Sequence, residues 1–210
     1  STQGDDKASA IALDSAGNVV VGGSTAATWP EQTRVGSWDS FIIKYEVNNT
    51  GGSRQWVIQF GSVGADYLYG LTVDTVSDDI YAAGGTGGEF EGNTHQGGND
   101  MYLIKVSSTG TIVWSRVDGV PSSTSSEQGN AVVVDSAQNV YVFGNTQGQL
   151  TGATSNGNQD AALWKYDKDG TQQWVIQYGT TGYENAGCLT IDANDKIYPA
   201  LHLFGGMMGA

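Results

Sequence analysis

Only one of the 210 residues is cysteine, Cys188, and only three are proline. A lone cysteine excludes an intrachain disulfide, and with it the small stapled scaffolds, but leaves the compartment open. Lysine and arginine together number 9, too few for the basic face that nucleic-acid binding requires. No apolar run approaches the roughly 20 residues of a membrane helix, so no membrane span is expected. The opening residues show no signal-peptide pattern and no initiator methionine. The chain opens at Ser1, as in a processed or excerpted piece. Histidine is represented by His95 and His202 alone. Neither stands in a His-Glu-x-x-His motif, and no Gly-x-Ser-x-Gly elbow exists.

What is abundant is glycine, at 31 residues, with 10 Tyr and 6 Trp. Together with Ser, Thr and Val, this composition predicts many short strands joined by tight turns. Hydrophobic content of 39% is enough for a packed core and argues against disorder. The net charge is −13. It suits solubility in a salty or extracellular medium, and the competing reading is divalent-cation binding.

The sequence repeats, and the repeat decides the fold. The phrase from Asp14 to Val21 returns from Asp74, Asp135 and Asp192, at intervals of 60, 61 and 57 residues. Asp39-Ser40-Phe41-Ile42-Ile43-Lys44-Tyr45 returns from Asp100 and Asp160. A third phrase, Gln55-Trp56-Val57-Ile58-Gln59, returns around Trp114 and Trp174. Each unit reads as four strands: in the first, Ala10–Leu13, Val19–Gly23, Ser40–Tyr45 and Gln55–Phe60. The second and third are apolar without alternation, as expected of strands covered on both faces. Four strands per repeat without helices predict an all-β, β-propeller architecture of antiparallel blades. Blade boundaries fall at 1–60, 61–119 and 120–179, with a partial blade at 180–210. Gly4-Asp5-Asp6 aligns with Gly64-Ala65-Asp66, so the chain starts at a unit boundary and stops after two strands of the fourth unit. Three and a half blades cannot close a ring. Two such chains would leave two half-blades rather than one whole one. The expectation is a longer polypeptide, whose further blades complete a ring of six to eight, or a second chain that supplies the missing strands.

The recurring residues carry structural expectations. Gly23, Gly84 and Gly144 follow the second strand, predicting positive φ or close backbone approach. Leu201 takes that place in the fourth unit. Ala10, Gly70, Ala131 and Cys188 share a small-residue slot, so Cys188 reads as a small buried hydrophobe. Trp56, Trp114 and Trp174 read as buried indoles wedged between blades, against the alternative of a sugar-stacking platform. Lys44, Lys105 and Lys165 need partners in an apolar strand. Asp14, Asp74 and Asp135, or Asp39, Asp100 and Asp160, can supply them as ion pairs or bind turn amides instead, and Asp192 is the fourth unit's copy of the first set. A catalytic lysine is disfavoured because every full unit carries one. His95 reads as a solvated loop residue, and His202 is unassigned. Asp167-Lys168-Asp169-Gly170 opens like a calcium loop but lacks the acidic twelfth residue, and reads as a turn. Asn48-Asn49-Thr50 is an N-glycosylation sequon.

The string Gly64-Ala65-Asp66-Tyr67, with Leu71-Thr72-Val73-Asp74 and Ile80-Tyr81-Ala82-Ala83-Gly84-Gly85-Thr86, resembles the SBBP-type β-propeller repeat. So do Gly97-Gly98-Asn99-Asp100 with Leu103-Ile104-Lys105, and Ser108 through Trp114. The resemblance covers nearly the whole chain and departs after Tyr198. It implies a secreted or cell-surface location, often beside other domains, and no single activity or catalytic residue. The expected function is a non-catalytic scaffold or interaction module for proteins, without metal or cofactor. A glycan-binding propeller is the alternative, with Trp29, Trp38 and Phe90 as loop aromatics that could also pack under their loops. A hydrolase or lyase with an axial site comes third.

Overall fold

The computed structural model describes residues 4–48 and 51–204, and among them every regular element is a strand. The first unit contains β1 (Asp6–Leu13), β2 (Val19–Thr25), β3 (Asp39–Asn48) and β4 (Gly51–Phe60). The second contains β5 (Asp66–Val73), β6 (Ile80–Thr86), β7 (Gly97–Val106) and β8 (Ile112–Asp118). The third contains β9 (Ser122–Val134), β10 (Val140–Thr146), β11 (Asp160–Tyr166) and β12 (Gln172–Tyr178). The hairpin β13 (Tyr183–Ile191) and β14 (Ile197–Phe204) ends the described chain. Each full unit is a four-stranded antiparallel meander in sequence order. A short parallel contact, Gly97 with Ser122 and Asn99 with Ser126, joins the second and third into one eight-stranded sheet. Trp38 with Ala65 and Gln159 with Tyr183 make the same kind of contact at the other two junctions. The strands extend beyond their sequence-predicted apolar cores, because polar ends such as Asp6 and Thr25 still complete the ladder.

β3 of the first unit, and the second and third strands of the next two units, feed two cores at once. In β6, Ile80 and Ala82 pack with Val20, Ile42 and Leu68, while Tyr81 and Ala83 pack with Val132, Val142 and Trp164. The strand is buried along its whole length, which explains its unbroken apolar run. The third core, around Tyr141, Phe143 and Leu163, is covered by Ala186, Leu189 and Leu201 of the hairpin.

The first strands carry a recurrent irregularity. Register shifts fall at Ala8/Ala10, at Leu68/Gly70 and opposite Phe143/Gly144, which bulges Ser9, Tyr69 and Asn130. A bulge bends its strand toward the partner. The recurring glycines face these bends. A Cβ on Gly23, Gly84 or Gly144 would lie 2.0, 1.9 or 1.8 Å from the carbonyl oxygen of Lys7, Tyr67 or Gln128. Close backbone approach, and not positive φ, is therefore the reason for glycine here. In β14, Leu201 occupies the slot opposite Ala186, and the shift moves to Ala186/Leu189. The first strands also meet one another: Ile11, Leu71, Val132 and Leu189 share the wall of one cavity of about 280 Å³. Cys188 lines it and is exposed, which corrects the expectation of a buried thiol.

Candidate functional site

The four repeated aspartates organise turns. Asp14 Oδ1 accepts from the amides of Ala16 and Asn18, and Asp135 Oδ1 from those of Ala137 and Asn139. Asp192 Oδ1 does the same for Asn194 and Lys196, and Asp74 Oδ1 for Val76. The third-strand aspartates clamp the loops that precede them. Buried Asp39 accepts from the amides of Val35 and Gly36, Asp100 from that of Gln96, and Asp160 from that of Asn156. The loop carrying His95 folds back so that Nε2 lies 3.8 Å from Asp100 Oδ2, and the residue is half-buried and not solvated. His202 pairs with Asn185 in the hairpin and stands against Phe204 at 4.2 Å. Asp167–Gly170 forms a turn closed by Gly170 N–H on Asp167 O at 2.9 Å. Asn48 closes β3, but its side chain and residues 49–50 lie outside the described residues, so the sequon has no structural account.

The units are locked together across each junction. Asp78 accepts from the Ser15 amide and hydroxyl at 2.8 Å each, and Asp195 holds Ser136 in the same way. Gln138 Nε2 donates to Asp74 Oδ2 at 2.6 Å. Asp78, Gln138 and Asp195 all adopt positive φ in their turns.

Each full unit carries one row across its second, third and fourth strands: Val20–Lys44–Trp56, Tyr81–Lys105–Trp114 and Tyr141–Lys165–Trp174. The lysines find different partners. Lys44 Nζ binds Asp14 at 2.8 Å, as anticipated. Lys105 binds Asp79 at 2.9 Å instead of Asp74, because Gln138 and Ser77 already bond Asp74 Oδ2. Lys165 sits 5.0 Å from the Tyr141 ring and makes no ion pair among the described residues, so its expected oxygen partner is not found. Burial raises the Asp14 pKa, but the bonds from Lys44 and Asn18 outweigh it and bring the carboxyl to about 2.

The three tryptophans are equivalent, but less buried than expected. Trp56 Nε1 donates to Ser108 O at 3.1 Å and Trp114 Nε1 to Lys168 O at 3.2 Å, each reaching into the next unit's turn. Trp56 and Trp114 are half-buried, while Trp174 is 37% exposed. The loop aromatics are used internally. Trp29 packs on Phe41, Trp38 lies between Tyr67 and the Lys7 ammonium, and Phe90 stacks on Tyr102 at 4.4 Å.

Sequence reasoning missed a groove of about 460 Å³ beside Trp56. It is lined by Asn18, by Lys44 and Glu46 of β3, by Gln55 and Trp56 of β4, and by Ser108 and Thr109 of the next unit's turn. A bulge at Gln55 turns it toward Glu46, whose Oε2 it reaches at 2.9 Å. The legible signal was the departure of Val20 from the tyrosine of the other units.

No model of a known protein family matches the chain. It is 24% identical over 188 residues to the regulatory protein FlaEY of Caulobacter vibrioides. The match covers 80% of this chain, which spans only about a fifth (19%) of that relative's length. A solved structure of a Bacteroides caccae protein of unknown function overlaps 91% of this chain and 52% of its own, at 7% identity and a TM-score of 0.46. An overlap that loose carries no argument about fold.

Proposed function

We propose that the chain is part of a non-catalytic β-propeller that serves as an extracellular or cell-surface scaffold for protein interaction. One observation carries the reading: successive units abut through their first strands around a common cavity, and their repeated polar groups are spent on turns and junctions. Aspartates that bind amides and tryptophans that donate to neighbouring turns hold surfaces in place. A rigid stack of short sheets presents loops of variable sequence, which suits recognition. The SBBP-type resemblance supports the location and the ring.

An experimental structure of the parent protein tests the architecture, with β1, β5, β9 and β13 expected around one axis. First strands that diverge would overturn it. Labelling intact source cells with a membrane-impermeant amine reagent tests the location, with the protein expected among the labelled species. Protection until the cells are lysed would count against a surface role. Turnover of hydrolase or lyase substrates, lost on substitution in the cavity between the first strands, would replace the scaffold reading with an enzyme.

A further inference from the structure

Next to the groove at Trp56 the repeat carries a smaller side chain than in the other units. In the second and third units a tyrosine ring stands against the indole, 6.0 Å between centroids in both Tyr81–Trp114 and Tyr141–Trp174. The lysine of the row lies over the same ring, at 5.3 Å from Tyr81 and 5.0 Å from Tyr141. The Tyr141 hydroxyl reaches Asp135 Oδ2 at 3.1 Å. Tyr198 repeats that reach toward Asp192 at 3.0 Å. In the first unit the residue at this place is Val20, which ends beneath Lys44 and leaves the indole without a ring. A second filler is also absent. Arg116 lies 5.3 Å from the Trp114 ring and bonds the carbonyls of Asp169 and Gly170, whereas its counterpart in the first unit is Ile58.

We infer that this groove takes one pyranose ring of a neutral glycan in place of the missing tyrosine. The rim is rich in hydrogen-bonding groups of both kinds. The lining residues Asn18, Gln55, Glu46 and Ser108 carry amide, carboxylate and hydroxyl groups, of which Asn18 Nδ2 is held by Asp14 and Gln55 Nε2 by Glu46 and Ser53. An aromatic surface ringed by donors and acceptors matches a sugar, which is apolar on its C–H face and polar around its rim. Lys44 and Glu46 carry opposite charges, so the groove gives no net attraction to an ion of either sign. A volume of about 460 Å³ holds one or two sugar units. The inference rests on the non-catalytic reading but uses a surface distinct from the scaffold's protein-facing loops. It can therefore fail while the scaffold reading stands.

The protein's own repeat supplies the test. Val20→Tyr installs the ring that the other units already carry, and so sets an aromatic ring beside Trp56 at the edge of the groove. The wild-type chain is applied to an array of neutral mono- and oligosaccharides, and hits are titrated by tryptophan fluorescence. Saturable binding is expected, weakened at least tenfold by Val20→Tyr with circular dichroism and melting temperature preserved. Gln55→Ala, on an exposed bulge, gives the same readout should Val20→Tyr fail to fold. Retention of no neutral sugar by the wild type would overturn the inference, as would equal binding by both variants. Selection of tyrosine-bearing peptides from a parallel peptide array, with no sugar bound, would also overturn it and assign the groove to an aromatic side chain.

Discussion

Ile80-Tyr81-Ala82-Ala83 in β6 and Ile197-Tyr198-Pro199-Ala200 in β14 occupy the same place in their units and differ little in apolar character. The first run is buried at every residue. In the second, Tyr198 is 50% exposed and only Ile197 is partly covered. The difference lies in the neighbours. Strand β6 lies between two cores, whereas the hairpin covers the third core with one face only. Burial in this architecture is a property of the stack, and a strand inherits it from the units on either side. Residues at equivalent places should therefore respond very differently to the same substitution.

The sharpest contrast is Gly84 against Leu201. A side chain at Gly84 meets the Tyr67 carbonyl and the Tyr102 ring, so Gly84→Leu should cost about 3 kcal/mol or more. Leu201→Gly should cost about 1 kcal/mol, since its strand is covered on one face. Urea unfolding of both variants measures the gap, and equal losses would break the comparison. Next come the tryptophans. Trp114→Ala removes packing on Gly170, on Tyr81 and a bond to Lys168 O, and should cost about 3 kcal/mol. Trp174→Ala, at the more exposed end of the series, should cost about 1 kcal/mol.

Acid sharpens the comparison in another way, because carboxylates at turns and at buried junctions shift in opposite directions. Burial raises Asp66 and Glu127 against the amide and hydroxyl bonds they accept, and the nearby Asp39 and Asp100 push them further. Raised carboxyls oppose folding when ionised, and that opposition fades as pH falls through their folded values. Asp14 is depressed to about 2, so its contribution is present above its ordinary 3.8 and is lost as pH falls through about 2. The melting temperature should rise as pH falls from neutral through the raised values of Asp66 and Glu127, and fall again in stronger acid as Asp14 is protonated. Asp66→Asn should flatten the rise, and Asp14→Asn should weaken the acid fall. A curve unchanged by either would separate these groups from stability.

The strand centres were legible because the same phrases return at one period, and the apolar second and third strands announced two covered faces. The turns were legible for the same reason: an aspartate five or six residues before an apolar strand has amides within reach. Partner choice was not legible. Lys44, Lys105 and Lys165 look alike in sequence, yet one takes Asp14, one Asp79 and one the Tyr141 ring. Val20 against Tyr81 and Tyr141 separates the first lysine from the other two, while Gln138 of the next unit, bonded to Asp74, separates the second from the third, and that contact across a junction is not written in any one repeat. The burial of Cys188 was misjudged on the same account. Its slot is small in every unit, but its surroundings belong to the stack.

Cys188 gives the mildest contrast. It lies within the hairpin's register shift and lines the cavity between the first strands, where Ala131 holds the matching place in the third unit. Cys188 is exposed and Ala131 half-buried. A maleimide reagent should therefore modify the native chain at Cys188, with the melting temperature moving by less than about 1 °C, as expected of a surface change. Ala131→Cys in a Cys188→Ala background should react more slowly, because β5 and β13 flank β9 on both sides of that residue. The two rates, each referred to that of the urea-unfolded chain, cancel the intrinsic chemistry of the thiol and leave access alone. Equal ratios would mean that the first strands part readily in solution. A slower reaction at residue 131 would mean that the cavity is closed around β9 and opens toward the hairpin.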